Sequence, residues 1–140
     1  MENKDVTFLA EIWLNTSLKA HDFISKEYWT NNKSLMIEKY LPNSEVYIAE
    51  ETDTILGFIA LGENYIASIF VDIEQQGKGI GTLLLNYAKN VRTELKLNVY
   101  QKNDKSVNFY KSQDFIILSE STDKPTLEKE YVMQWNNSKQ

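Results

Sequence analysis

Cysteine is missing from this chain of 140 residues, and histidine occurs only once. Without cysteine the protein forms no disulfide, no thiolate metal site and no cysteine nucleophile, and a single histidine excludes a histidine-rich metal site. No cluster of acidic residues suggests a carboxylate site. We therefore expect no metal cofactor.

Long apolar runs are also missing. No such run approaches the roughly 20 residues that span a bilayer, and the N-terminal Met-Glu-Asn-Lys-Asp lacks both regions of a secretion signal. We therefore expect a cytoplasmic protein with no membrane partner. Acidic residues outnumber basic ones by 20 to 15, and the net charge of −5 repels polyanions, so we expect no nucleic-acid partner.

The length and the 42% of hydrophobic residues predict a single folded domain over residues 1–140.

Apolar periodicity predicts four helices and six strands. The helices are predicted over residues 5–20, 25–41 (ending before Pro42), 80–91 and 104–112, and the strands over 46–50, 55–61, 65–72, 95–100, 115–118 and 130–135. The first two strands form an antiparallel hairpin, whereas the third and fourth are separated by a helix and should therefore lie parallel.

The most informative segment is Gln76-Gly-Lys-Gly-Ile-Gly81, which follows the third predicted strand and opens an amphipathic helix. Backbone amides at a helix start have no intrahelical acceptor, and glycine lets a phosphate approach them. The segment therefore predicts a phosphate-binding loop. The apolar positions of the following helix form one stripe, namely Ile80, Leu83, Leu84, Tyr87, Ala88 and Val91.

Two common phosphate loops do not fit this segment. A dinucleotide fingerprint has the spacing G-x-G-x-x-G, whereas Gly81 comes one residue early. A nucleoside triphosphate loop needs four residues between its first glycine and a Gly-Lys-Ser/Thr, and this chain does not supply them. A simple strand-to-helix turn would explain one glycine but not three.

The loop resembles the coenzyme A loop of the GNAT superfamily of N-acetyltransferases, whose pattern Gln/Arg-x-x-Gly-x-Gly/Ala is matched by Gln76, Gly79 and Gly81. The family's next signature is an asparagine followed by a short helix that carries Phe-Tyr and ends before a phenylalanine. It is matched by Asn103, Ser106, Phe109, Tyr110 and Phe115. The resemblance covers about residues 45–118, and the first helix pair is similar to that of small bacterial members.

The resemblance implies a mixed α/β (α+β) fold with a mostly antiparallel sheet of about six strands, a splayed parallel pair at its centre, and about four flanking helices. Two departures stand out. Only about four residues precede the first helix, so the family's opening strand is absent or very short. The usual Gly-Phe is Asp114-Phe115, and aspartate tolerates a left-handed helix terminus.

The resemblance also implies acetyl-CoA as the cofactor. Loop amides would hold its pyrophosphate. The third strand would bulge and leave backbone groups of Ile69, Phe70 and Val71 unpaired for the pantetheine, and a freed amide near Ile69 or Phe70 would donate to the thioester oxygen. Asn103 and Ser106 would contact the pantetheine arm. Lys78 is equally well explained as a solvated residue, and Phe109 is better explained as core. The implied cofactor-binding residues are Ile69, Phe70, Val71, Gln76, Gly77, Lys78, Gly79, Ile80, Gly81, Thr82, Asn103, Ser106 and Tyr110.

Acetyl transfer to an amine needs a proton for the departing thiolate and a base for the amine. The resemblance implies Tyr110 as the general acid, because a phenol stays protonated at neutral pH. Spacing alone favours a buried tyrosine that only fills space beside Phe109 and Phe115, and the resemblance reverses that preference. Glu63 and Tyr65, at the start of the third strand, lie where the family often places an acid or a water-holding group, and His21 is a further candidate base. A lone loop histidine is more often a cap or surface group, and ordered water is the alternative to all three.

We expect transfer of the acetyl group of acetyl-CoA to a primary amine by direct attack in a ternary complex. The alternative is a catalytically silent module that senses acyl-CoA or mediates interactions. Candidate substrate-binding residues are His21, Phe23, Trp29 and Tyr65, although core packing is the better explanation for most of the aromatic ones. Exposed strand edges near the C-terminus are compatible with a homodimer.

Overall fold

The computed structural model describes residues 3–20, 23–35, 44–52 and 54–137. Within them lie four α-helices, which are α1 (Asn3–Ala20), α2 (Lys26–Leu35), α3 (Ile80–Val91) and α4 (Asp104–Ser112). The strands are β1 (Glu45–Glu51), β2 (Thr54–Gly62), β3 (Tyr65–Val71), β4 (Glu94–Tyr100), β5 (Ile116–Asp123) and β6 (Glu128–Asn136). A single turn of 3₁₀ helix, Ile73–Gln75, follows β3.

The six strands form a mixed, mostly antiparallel sheet in the order β1-β2-β3-β4-β6-β5, with β3 and β4 as its parallel pair. The predicted fold class is therefore confirmed, while the splaying of that pair stays a prediction. The chain divides into two compact units, residues 1–88 and 89–140, and the single domain stays a prediction. No helix in the described part of the chain combines the length and apolar character needed to cross a membrane.

In the first unit, α1 and α3 cover opposite faces of the hairpins formed by β1, β2 and β3. Alternate strand side chains point to opposite faces. Leu9 of α1 belongs to a buried cluster with Phe58 and Ala60 of β2. On the other face, the rings of Tyr47 in β1 and Tyr87 in α3 meet edge to face at 4.5 Å between centroids. This arrangement places the start of α3 close to the end of β3.

Gly57 of β2 lets the backbone of β3 approach closely at the end of that strand. A Cβ atom at this position would lie 2.6 Å from the carbonyl oxygen of Phe70, 3.1 Å from the Cα of Val71 and 3.5 Å from Cγ2 of Ile80. The first two are backbone atoms of β3, so they cannot rotate away as a flexible side chain would. Only glycine lets the end of β3 lie this close to β2.

In the second unit, β6 pairs antiparallel with both β4 and β5. Leu95, Leu97 and Val99 alternate along β4 and are buried, and Met133 lies opposite Leu97 on β6. α4 adds the buried side chains of Val107 and Tyr110. The period-2 pattern of β4 therefore identifies a strand with one buried face, as predicted.

The C-terminal strands are longer than predicted. β5 begins at Ile116 instead of residue 115 and continues to Asp123, well past the predicted end at residue 118, and β6 begins two residues early. β5 lies at the edge of the sheet and is exposed along almost its whole length, so its polar second half carries no apolar alternation.

Two other predicted boundaries differ or are not described. β3 ends at Val71, one residue earlier than predicted. The predicted end of the second helix, with Pro42, lies outside the described residues.

The apolar stripe predicts the existence of α3 correctly but not its orientation. Leu84 and Ala88 are buried as expected, whereas Leu83 is 59% exposed and Tyr87 is 42% exposed. Leu85, which lies outside the predicted stripe, is fully buried. The helix is apolar over more than one face, and its packing on the sheet decides which side is covered.

Candidate active site

β3 contains a bulge. Leu61 pairs with Ile66 and Ala60 pairs with Ser68, so Ala67 is an extra residue on β3. A bulge leaves one residue unpaired and increases the local twist of the strand. The resemblance implied a bulged third strand with its open backbone groups at residues 69–71, and the bulge lies just before them.

The register beyond the bulge decides which backbone groups face β2. The Asp72 amide donates to the carbonyl oxygen of Leu56 at 2.9 Å. Hydrogen-bonded and non-hydrogen-bonded pairs alternate in an antiparallel ladder, so Phe70 bonds its partner Phe58, while Ile69 and Val71 direct their backbone groups away from β2. Of the two amides expected near a thioester, the register favours that of Ile69.

The carbonyl oxygen of Val71 accepts hydrogen bonds from two side chains. Gln76 Nε2 donates to it at 3.2 Å and Thr16 Oγ1 donates at 3.4 Å. Gln76, predicted near the phosphates, therefore turns its side-chain amide back to the strand end and braces the loop. The contact of Thr16 with the strand end was not predicted from the sequence. The available signal was a hydroxyl on the otherwise apolar face of α1.

The loop after β3 exposes bare backbone. Gly77 and Gly79 both have a φ of 82°, a left-handed conformation that glycine adopts without the steric penalty of a side chain. A Cβ atom at either position would meet no atom within 4 Å, so the requirement for glycine is conformational rather than steric. Both residues and Lys78 are exposed. Their amides are accessible to a ligand.

α3 begins without a side-chain cap. The Leu83 amide donates to the carbonyl oxygen of Gly79 at 3.0 Å, which makes Gly79 the capping residue, and glycine has no side chain to accept from the first turn. The amides of Ile80, Gly81 and Thr82 therefore lack intrahelical acceptors and lie at the positive end of the helix dipole. Exposed loop amides followed by an open helix start form a suitable site for a phosphate group.

Lys78 adds a positive charge beside this loop. Its Nζ donates to Gln75 Oε1 at 3.1 Å, and both residues interact at the protein surface. The contact holds the ammonium next to the loop. A role in attracting an anion and a role as a surface residue are both compatible with this position.

Asn103 caps the start of α4 in the second unit. Its Oδ1 accepts from the Ser106 amide at 3.3 Å, and its carbonyl oxygen accepts from the Val107 amide at 3.0 Å. This is the usual arrangement for an N-cap asparagine. The structure thus brings Asn103 and Ser106, two predicted cofactor contacts, together at one helix start.

Tyr110 is held by main-chain and ring contacts at the other end of α4. The Phe115 amide donates to the carbonyl oxygen of Tyr110 at 3.0 Å, and the Asp114 amide donates to that of Lys111 at 3.2 Å. With Asp114 at a φ of 70°, these bonds form a Schellman motif. The Tyr110 ring lies 5.4 Å from that of Phe109 and 5.7 Å from that of Phe115, between centroids.

Burial raises the pKa of the Tyr110 phenol above its ordinary value of 10.0. The phenol therefore remains protonated at neutral and mildly alkaline pH. A general acid must carry its proton at the working pH. The environment of Tyr110 is compatible with that role as well as with packing.

The candidate bases lie in different positions. Glu63 occupies the exposed turn between β2 and β3 with a φ of 53°, and Tyr65, which is 40% exposed, begins β3. They lie at the opposite end of β3 from the glycine loop, roughly 20 Å along the strand. His21 lies outside the described residues.

Two aromatic residues were predicted to contact the acceptor from the first helix pair. Trp29 is only 6% exposed and packs edge to face on Trp13 and Tyr28, at 5.6 and 4.9 Å between centroids. These contacts favour core packing for Trp29. Phe23 is half-buried and remains a candidate for a pocket wall.

Comparison with known proteins identifies close relatives of this chain. Residues 42–117 match the family described as acetyltransferase (GNAT) domain. Peptidyl-lysine N-acetyltransferase YiaC of Escherichia coli is 31% identical over 135 residues, covering 96% of this chain and 92% of YiaC. The solution structure of YjaB from Escherichia coli superimposes with a TM-score of 0.85 at 27% identity, covering 96% of this chain and 93% of YjaB.

A further solved structure contains a ligand. An acetyltransferase from Bacillus anthracis, in complex with acetyl coenzyme A, has a TM-score of 0.60 and 25% identity, covering 68% of this chain and 64% of its own.

Proposed function

We propose, given that this chain belongs to the GNAT family of acetyl-CoA-dependent N-acetyltransferases, that it acetylates the side-chain amine of lysine in a protein or peptide. YiaC and YjaB are peptidyl-lysine N-acetyltransferases, which supports this acceptor. The net charge of −5 also favours a cationic substrate. The observation that carries the cofactor assignment is the uncapped start of α3 after two left-handed glycines.

In this proposal the main chain holds the cofactor. Amides from Gly77 to Thr82 bind the pyrophosphate of acetyl-CoA, because Gly77 to Gly79 are exposed and the amides of Ile80 to Thr82 have no intrahelical acceptors. The amide of Ile69, directed away from β2, donates to the thioester carbonyl oxygen. Asn103 and Ser106 contact the pantetheine arm from the start of α4.

The reaction is direct attack in a ternary complex. The neutral amine attacks the thioester carbonyl carbon, the new C–N bond forms, and the C–S bond breaks. Tyr110 donates its proton to the departing coenzyme A thiolate, and the attacking nitrogen, which is positively charged once it bonds carbon, loses a proton that restores the phenol. Because lysine has an ordinary pKa near 10.4, its ammonium must first lose a proton, to Glu63, His21 or an ordered water.

The acceptor is tested by offering the wild-type protein acetyl-CoA and lysine-containing peptides with blocked N-termini. We expect one thiol released for each acetyl group that mass spectrometry finds on lysine. The matched peptide with arginine in place of lysine should release none. Acetylation of small polyamines but of no peptide would overturn the proposed acceptor.

Cofactor binding is tested separately by thermal denaturation with acetyl-CoA or NAD. Ligands that bind the native state raise the melting temperature, so only acetyl-CoA should do so. Stabilisation by acetyl-CoA without turnover of any amine would favour the silent sensor over the enzyme.

Direct attack is tested by incubating the protein with acetyl-CoA and no acceptor. We expect no acetylated protein by intact mass within the time of many turnovers, since the sequence contains no cysteine to form a thioester intermediate. An acetyl group that appears on the protein and then passes to added amine would contradict the ternary mechanism.

A further inference from the structure

Lys89 makes three contacts at the C-terminal end of α4. Its Nζ donates to the carbonyl oxygen of Gln113 at 2.6 Å and lies 5.8 Å and 5.2 Å from the ring centroids of Phe115 and Trp135. Gln113 is the residue that ends α4. A cation is favoured at a helix C-terminus and over aromatic faces, so all three contacts hold the ammonium in one place.

The position is not that of an ordinary surface lysine. Burial lowers the pKa of Lys89, and the nearby carboxylate of Asp114 acts in the opposite direction. Partial burial of an ammonium is unfavourable unless hydrogen bonds and charges compensate for the lost water. The contacts with Gln113 and the two rings supply that compensation.

These contacts connect Lys89 to Tyr110 in two steps. Phe115 lies under the ammonium and also packs against the Tyr110 ring, with 5.7 Å between the ring centroids. The Phe115 amide donates to the carbonyl oxygen of Tyr110. Lys89 therefore acts on the residue that fixes both the backbone and the ring of Tyr110.

We infer that Lys89 is a positioning residue for Tyr110, holding the end of α4 so that the phenol keeps its orientation during acetyl transfer. This inference rests on the proposed function, in which Tyr110 is the general acid. Lys89 touches neither substrate nor cofactor in this role. Its effect should therefore fall on turnover and not on cofactor binding.

The test compares Lys89→Met, Lys89→Arg and Lys111→Met. Methionine retains the aliphatic stem and loses the charge, arginine retains both donor and charge, and Lys111 is an exposed lysine of the same helix terminus. We expect Lys89→Met to lower kcat about tenfold with the acetyl-CoA KM within about twofold, since small misplacement of a catalytic group slows chemistry. Lys89→Arg should retain at least about half of kcat, and Lys111→Met should match wild type.

A double-mutant cycle separates positioning from general destabilisation. If Lys89 acts through the Tyr110 hydroxyl, Lys89→Met should have little further effect on kcat in a Tyr110→Phe background. An equal loss of kcat in both backgrounds, or a rise in KM with unchanged kcat, would overturn the inference.

Hydrogen exchange gives a readout that needs no activity. The amides of Asp114 and Phe115 should exchange faster in Lys89→Met than in wild type or Lys89→Arg, because the end of α4 opens more often. Unchanged exchange and turnover in Lys89→Met would overturn the inference and leave the proposed function intact. A wild-type protein that acetylates no amine would overturn the function, while exchange would still test the hold of Lys89 on α4.

Discussion

α3 and α4 begin in opposite ways. The capping residue of α3 is Gly79, which has no side chain, and the preceding loop is exposed. The capping residue of α4 is Asn103, whose side chain accepts from the first turn. A capping side chain satisfies amides that a ligand would otherwise bind. The first amides of α3 are therefore open to an anion, whereas the Asn103 side chain already occupies an amide in the first turn of α4.

The glycine loop and the C-terminal end of α4 also differ in how their left-handed residues are held. Gly77 and Gly79 adopt left-handed conformations with open space where a side chain would lie, so these two positions require glycine for its backbone conformation. Asp114 adopts a left-handed conformation within a Schellman motif that Lys89 reinforces at Gln113. The glycine loop therefore exposes its backbone, whereas the end of α4 is held by hydrogen bonds and by ring contacts that include Tyr110.

The largest expected effect comes from Tyr110 of α4. Tyr110→Phe keeps the ring and its packing but removes the acidic proton, so kcat should fall at least about tenfold. Coenzyme A affinity, measured by calorimetry, should persist. Tyr87→Phe, at an exposed tyrosine of α3, serves as the control. Unchanged turnover in Tyr110→Phe would leave Tyr110 with a packing role only.

Gly79→Ala tests whether the glycine loop before α3 binds the cofactor. A side chain at a φ of 82° costs about 1–2 kcal/mol, so the loop should rearrange and acetyl-CoA should bind about tenfold more weakly. Calorimetric titration measures the change. Gly62→Ala is the matched control, because Gly62 is exposed, lacks the left-handed φ and has open space around it. Equal affinities in the two variants would show that the loop does not hold the cofactor.

Asn103→Ala and Asn103→Asp separate capping from ligand contact. Alanine removes the cap and should lower the free energy of unfolding by about 1 kcal/mol, whereas aspartate retains the cap. Urea denaturation measures both variants. If Asn103 also contacts pantetheine through its amide, the aspartate variant should be as stable as wild type and yet bind acetyl-CoA more weakly. Normal binding by the aspartate variant would restrict Asn103 to capping.

The smallest expected effect is on the pH dependence of stability. Burial raises the pKa of Tyr110, so above pH 10 the native protein keeps a proton that the unfolded chain has lost. The free energy of unfolding should therefore fall as the pH rises above about 10. Below that pH, Tyr110 should not contribute to the pH dependence of the free energy of unfolding. Urea denaturation from about pH 8 to pH 11 should show a steeper fall for wild type than for Tyr110→Phe. Identical curves would mean that burial does not change the ionisation of Tyr110.

Local patterns predicted much of the candidate site. The glycine spacing located the loop and the start of α3, and the limits of α4 were predicted as Asp104 to Ser112, where the structure has them. The left-handed position of Asp114 agreed with its replacement of the usual glycine. The hydrogen bonds of Thr16 and Lys89 were not predicted, because their partners Val71 and Gln113 lie far away in the chain.

The order of strands and helices, the glycine conformations and the helix caps follow from residues within a few positions of one another, because they depend on local backbone preferences and neighbouring donors. Three features depended on tertiary packing instead. They are the buried side of α3, with Leu85 covered and Leu83 exposed, the bulge at Ala67, and the length of β5. Each is set by contacts between segments distant in the chain, since pairing register and helix rotation are decided only when the partner surface is in place.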